Sequence, residues 1–186
     1  MSDAMDAPEF LTLNGREYEI LRLLGKGKGG YTYLAERSGV QYALKQIHHE
    51  PCDYYQFGDK LAAELRDYEI LSGLRIPIPA LLDVDREGER LLKELLPGET
   101  VYQLVLRGAL EPWHLDQVRA LSRALREAGL NIDWFPTNFI PKDGTLYYVD
   151  YECNAYLDQW SFESWGVRYW SRTPEFDAYA GEHGDL

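Results

Sequence analysis

Between residues 18 and 47 the chain reads as three strand-forming runs separated by two glycine-bearing breaks. Residues 18–24 supply Tyr18, Ile20, Leu21, Leu23 and Leu24, and the break Gly25-Lys26-Gly27-Lys28-Gly29-Gly30 follows. Residues 31–36 form a second run, Ser38-Gly39 a tight turn, and residues 41–47 a third run. Strand, glycine-rich turn, strand, tight turn, strand specifies an antiparallel meander.

After a loop holding Pro51 and Asp53, Leu61, Leu65, Tyr68 and Leu71 recur at helical spacing, which predicts a helix over residues 56–72 ended by Gly73. Ile76-Pro77-Ile78-Pro79 is incompatible with a helix interior and leads into two short predicted strands, 80–85 and 89–95, joined at Glu87-Gly88. Pro97-Gly98 marks the expected lobe boundary, and a short helix is expected over residues 100–106. The clearest helix spans residues 112–128, where Leu115, Val118, Leu121, Leu125 and Ala128 form one stripe, Pro112 starts it and Gly129 stops it. Arg119, Arg123 and Arg126 read as its wet face. A loop around Asp133, a strand over 138–141, a Lys142-Asp143-Gly144 turn and a strand over 146–150 follow. Trp160, Phe162, Trp165, Tyr169, Trp170 and Phe176 read as core packed on the 112–128 helix, with a partner or substrate surface as the alternative, and residues 179–186 as a polar, frayed tail. The expected division is a tail over 1–15, a sheet lobe with one helix over 16–96, and a mainly helical lobe with a small hairpin over 97–186.

A formal charge of -12 argues against direct nucleic-acid binding or adhesion to anionic membranes, although Lys26 and Lys28 make a local basic spot. No run approaches eighteen apolar residues, so no membrane span is expected. Cys52 and Cys153 have neither CxxC nor Cys/His metal spacing, and residues 1–10 lack a basic, then apolar, leader; both point to a reducing cytoplasm. His48, His49, His114 and His183 have no mutual spacing suited to a metal and read as solvated or capping.

Gly25, Gly27 and Gly30 form a G-x-G-x-x-G between two strands. A dinucleotide fingerprint needs a helix after the glycines, and a Walker loop needs Lys-Ser or Lys-Thr where Tyr31-Thr32 stand. What remains is an ordinary hairpin or a flap whose bare backbone N–H groups approach phosphate. Lys45, in Tyr42-Ala43-Leu44-Lys45, is either a surface strand lysine or an ammonium for the phosphates, held by a helical carboxylate. Glu64 and Glu69 both offer one, and Glu64, between Leu61 and Leu65, is better placed to face the sheet. Asp133 and Asn138 stand five positions apart, and Asp150 twelve further on. Together they can orient an attacking hydroxyl and hold magnesium; singly, Asp133 can cap a turn and Asp150 end a strand.

These residues resemble the protein-kinase-like superfamily, in particular its minimal atypical members: the RIO kinases, the kinase subunit of the KEOPS tRNA-modification complex, and the lipopolysaccharide core kinases. Tyr42-Ala43-Leu44-Lys45 is similar to V-A-I-K, the stretch from Glu64 to the Ile76-Pro77-Ile78-Pro79 turn and on to Asp85 resembles the KEOPS subunit, Gly129-Leu130-Asn131-Ile132-Asp133 its G-x-x-H-G-D, and Val149-Asp150-Tyr151-Glu152 its I-D-F-G. The resemblance covers residues 18–154. It implies a two-lobed kinase-like α+β fold with an antiparallel-sheet N-lobe and a truncated, mainly helical C-lobe, since only 36 residues follow Asp150.

The resemblance further implies ATP and Mg2+ as cofactors: phosphate contacts at Gly25, Gly27 and Gly30, the ion pair Lys45 with Glu64, adenine-edge contacts from the backbone at Glu94 to Leu96, Asp133 as catalytic base, and metal ligands Asn138 and Asp150. The expected function is an ATP/Mg-dependent phosphotransferase, first a minimal Ser/Thr protein-kinase-like enzyme, with a small-molecule kinase and a nucleotide-binding pseudokinase scaffold as alternatives. Partners would be ATP, a protein or small-molecule phosphoryl acceptor, and a protein docking on the aromatic C-terminus. Three positions depart from the pattern: Asn131 replaces the His that braces the metal-binding loop, Ile132 the Arg through which an activation loop acts, and Glu152 the Gly after Asp150. Thr173-Pro174-Glu175 echoes A-P-E.

Overall fold

In the computed structural model of the chain, which describes residues 8–50 and 58–184, three hairpins turn on pairs of residues with positive φ: Asn14-Gly15 (49° and 74°), Ser38-Gly39 (55° and 76°) and Asp143-Gly144 (49° and 75°). Such pairs give the turn the same hand of twist as its strands, and Gly takes the left-handed position at no steric cost. The chain is α+β and divides into two units, one of residues up to Glu64 with Pro79–Leu95, the other of Leu65–Ile78 with Leu96–Leu186.

The first unit is a six-stranded antiparallel sheet built from β1 (Phe10–Leu13), β2 (Arg16–Lys26), β3 (Gly30–Arg37), β4 (Val40–Ile47), β5 (Leu81–Asp85) and β6 (Arg90–Glu94), in the order β1-β2-β3-β4-β6-β5. One face buries Leu13, Tyr18, Ala35, Leu44 and Leu92. Because strand side chains alternate, Ala43 and Lys45 on β4 and Leu91 and Lys93 on β6 project from the opposite face, and the register sets Lys45 against Leu91 and Ala43 against Lys93. Alternation fails on β2, where register shifts between Ile20/Arg22 and Leu23/Gly25 turn the strand, and Leu21, Leu23 and Leu24 are exposed.

The helix α1 (Lys60–Gly73) starts later than the periodicity predicts, because the Asp59 carboxylate accepts from Ala62 N–H at 2.8 Å and so caps it. Its residues through Glu64 group with the first unit and the rest with the second. The earlier part of the predicted helix, Gln56 and Phe57, lies outside the described residues, as do Pro51, Cys52 and Asp53. The strand β1 lies within the stretch read as a tail.

The second unit contains α2 (Val101–Leu106), α3 (Pro112–Glu127), β7 (Leu130–Asn131), a 3-10 turn at Pro136–Asn138, β8 (Phe139–Lys142), β9 (Thr145–Tyr148), β10 (Asn154–Ala155), 3-10 turns at Asp158–Trp160 and Gly166–Tyr169, and α4 (Pro174–His183). Thr100 and Gln103 cap α2 reciprocally. His114 caps α3 by accepting the Glu111 N–H at 2.8 Å. Of the predicted stripe on α3, Val118 and Leu125 are buried and Leu115 and Leu121 are half-buried against the same core, while Ala128 is exposed; His114 and Ser122 are buried beside them. Arg119, Arg123 and Arg126 are exposed.

The aromatic C-terminal segment is largely this unit's own core. Phe162, Trp170 and Phe176 are buried around Trp134, and Trp170 Nε1 donates to the Trp134 carbonyl at 2.8 Å. Trp160, half-exposed, is the exception. Residues 179–183 are not a frayed tail: Thr173 caps α4 by accepting from Phe176 N–H at 3.1 Å, Pro174 occupies its first turn, and Tyr179 packs on Tyr102 and Phe135. Phe176→Ala therefore loses about 3–5 kcal/mol of stability, whereas Glu182→Ala, on the exposed side of the same helix, changes it by less than about 0.5 kcal/mol; urea denaturation followed by Trp fluorescence reads both.

Candidate functional site

The chemistry of the first unit centres on one carboxylate. Glu64 Oε2 lies 2.7 Å from Lys45 Nζ, and Oε1 lies 3.0 Å from Lys93 Nζ. The Lys93 contact is an ion pair without hydrogen-bond alignment. All three side chains are nearly withdrawn from solvent, at 12%, 9% and 5% exposure for Lys45, Glu64 and Lys93. Glu64 is thus the helical glutamate that engages Lys45. Lys93 is a second cation that sequence reading passed over: within Leu91-Leu92-Lys93-Glu94 it looks like one more strand position, and only the β4–β6 register sets it beside Lys45.

The glycine-rich break lies over this group. A methyl added to Gly29 would come 3.9 Å from Lys45 Nζ. Loop carbonyls are held by the unit itself: Lys60 Nζ donates to Lys28 O at 3.3 Å, His48 N–H to Gly29 O at 3.3 Å, and His48 Nε2 lies 3.0 Å from Gly27 O. The glycines differ in what requires them. Gly30 sits so close to the Gln46 carbonyl that any side chain would collide with main chain, whereas among the described residues Gly25 meets nothing and Gly27 only the loop's own Gly30 carbonyl at 4.0 Å. None of them has positive φ. Gly30 therefore serves strand packing, while Gly25 and Gly27 leave space that no described residue fills. Of the adenine-edge positions, Glu94 is tied to Ala80 both ways, its N–H donating to Ala80 O at 2.8 Å and its carboxylate accepting the Ala80 N–H at 3.2 Å; Leu96 is buried.

In the second unit the loop after β7 and the hairpin β8–β9 bring three polar residues to one place. Asp133 is exposed, its Oδ1 accepts from Phe135 N–H at 3.0 Å, and its carbonyl receives Asn138 Nδ2 at 3.5 Å. Val149 N–H donates to Asn138 O at 2.9 Å, which places Asn138 beside the residue preceding Asp150. Asp150 lies past the end of β9, not in the strand, and its Oδ1 accepts from Tyr151 N–H at 2.8 Å. Both aspartates thus accept main-chain N–H groups close by in sequence. Asn131 does not brace the Asp150 segment; its amide donates to the Leu157 carbonyl at 2.9 Å and its Oδ1 receives Trp134 Nε1 at 3.4 Å.

Among the described residues no three His, Cys, Asp or Glu side chains gather as a metal cage. The hard oxygens of Asn138 and Asp150 nonetheless suit magnesium, which binds through one or two carboxylates and takes its other ligands from water and phosphate. Burial pushes the Cys153 thiol up to about 11, which leaves it an unreactive packing group. No helix among the described residues is long and apolar enough to cross a membrane.

No family model matches the chain, and no curated protein matches it. The chemistry has to be argued from the geometry. Gly30→Ala forces the β3–β4 pair apart and lowers stability by about 1–3 kcal/mol, while Gly25→Ala shifts it by less than about 0.5 kcal/mol. Thermal unfolding of the two variants separates the packing glycine from the open one.

Proposed function

We propose that the protein is an ATP- and magnesium-dependent phosphotransferase of protein-kinase-like architecture, in its leading form a minimal Ser/Thr protein-kinase-like enzyme, with a small-molecule acceptor as the alternative substrate. The observation that carries this reading is Lys45, held by Glu64 and lying under a glycine loop whose Gly25 and Gly27 face space that no described residue fills. A buried ammonium beside unhindered main chain is a receptor for a polyphosphate.

Each residue then has a task. Lys45 contacts the α and β phosphates, and Glu64 holds it in place. Gly25 and Gly27 admit the phosphates to the loop backbone, and the main chain from Glu94 to Leu96 meets the adenine edge. Asp133 takes up the proton of the acceptor hydroxyl as its oxygen bonds to the γ-phosphorus and the bond to the β-bridging oxygen breaks. Asn138 and Asp150 are the ligands for magnesium, which when bound neutralises charge on the phosphate oxygens.

A second reading, a nucleotide-binding scaffold without turnover, is favoured by the engagement of the Asp133 and Asp150 carboxylates with nearby main-chain N–H groups and by Glu152 where the pattern has Gly. Release of ADP from ATP, with and without magnesium and alongside ATP-dependent thermal stabilisation, divides the two. The phosphotransferase reading expects magnesium-dependent turnover that falls by about 10²–10⁴-fold in Asp133→Ala, with ATP stabilisation retained, and is lost in Asp150→Ala. Stabilisation without wild-type turnover establishes the scaffold. Absence of any stabilisation overturns both.

A further inference from the structure

The second unit holds a buried hydroxyl that none of these roles uses. Tyr148, the last residue of β9, is 0% exposed and its ring packs on Phe139, with centroids 5.4 Å apart. Its hydroxyl donates to the Glu152 carbonyl at 3.0 Å. This one bond ties the last residue of β9 to the segment that follows Asp150. Beside it Asn138 accepts the Val149 N–H on its carbonyl at 2.9 Å and donates from Nδ2 to the Asp133 carbonyl at 3.5 Å, so the Asp133 loop and Asp150 are set from the same end of the hairpin. Asn131, which the kinase pattern would use as the brace here, is committed to Leu157 instead.

We propose that Tyr148 is a positioning residue whose hydroxyl fixes the Asp150–Glu152 segment against the end of β9, setting the geometry in which Asp150, beside Asn138 and Asp133, meets magnesium and phosphate. The proposal rests on the phosphotransferase reading. Tyr148→Phe keeps the packed ring and removes only the link, leaving the Glu152 carbonyl without that donor. The effect is displacement of the metal-binding oxygens more than loss of core.

The test titrates magnesium at fixed ATP and follows thermal unfolding of wild type, Tyr148→Phe and Ser122→Ala. Ser122 Oγ is buried and donates to Glu163 Oε2 at 2.8 Å, so its alanine variant also loses a buried hydroxyl bond in the same unit, away from Asp133 and Asp150. Both variants lower the unfolding temperature of the ligand-free protein. Only Tyr148→Phe raises the magnesium concentration for half-maximal ATP-dependent stabilisation, by about 10-fold, and lowers kcat at saturating ATP and magnesium by a similar factor. An unchanged magnesium requirement in Tyr148→Phe, or an equal rise in Ser122→Ala, overturns the positioning role while leaving the nucleotide reading intact. If wild type shows no stabilisation by ATP and magnesium, the nucleotide reading falls and the positioning role falls with it.

Discussion

A single buried carboxylate organises the chemistry of the first unit. Glu64 stands between Lys45 and Lys93, one ammonium on each oxygen. Such groups add little net stability, since desolvating the charges offsets their attraction, yet removing one partner costs roughly 3–5 kcal/mol. The arrangement is better understood as a means of holding cations at a defined position. It draws on three levels of structure: strand alternation that turns Lys45 and Lys93 away from the apolar face, antiparallel register that sets them on neighbouring strands, and the Asp59 cap that starts α1 one turn before Glu64.

The second unit solves a different problem, which is to keep acidic and amide side chains together on irregular backbone. A cluster of aromatic side chains supplies the rigidity. Gly166 lies so close to Trp134 that a side chain there would collide with it, and Trp170 bonds the Trp134 carbonyl, so the residue next to Asp133 is fixed on two sides. Main-chain N–H bonds to the Asp133 and Asp150 carboxylates, the Asn138 link and the Tyr148–Glu152 bond hold the segments that carry these polar atoms. These bonds and ligand binding are compatible, because a carboxylate that accepts one main-chain N–H retains acceptor capacity on its other lone pairs.

Much of this was legible in the chain. Ser38-Gly39 and Asp143-Gly144 announce their hairpins, the apolar spacing of residues 112–128 gives α3 to within a residue, and Glu64 is the helical glutamate whose neighbours Leu61 and Leu65 turn it toward the sheet. Asn14-Gly15, an equally strong hairpin signal, was masked by its position near the N-terminus. The polar composition of residues 179–186 concealed Tyr179, which anchors α4 on Tyr102 and Phe135. Bulges on β2 defeated the alternation rule at Leu21, Leu23 and Leu24, because a bulge changes the face of every residue beyond it. Lys93 and the Asn131–Leu157 bond depend on register or on contacts distant in sequence, which local patterns do not encode.

In the proposed function the Lys45 ammonium, held by Glu64 beneath the glycine loop, receives the phosphates of ATP. An acyl phosphate of ATP delivers its acyl group to a lysine amine lying against the bound phosphates, and mass spectrometry identifies the lysine modified. The account predicts acylation of Lys45, suppressed by excess ATP and not by adenosine. Acylation spread over exposed lysines such as Lys26 and Lys28, with Lys45 unmodified or insensitive to ATP, would contradict it.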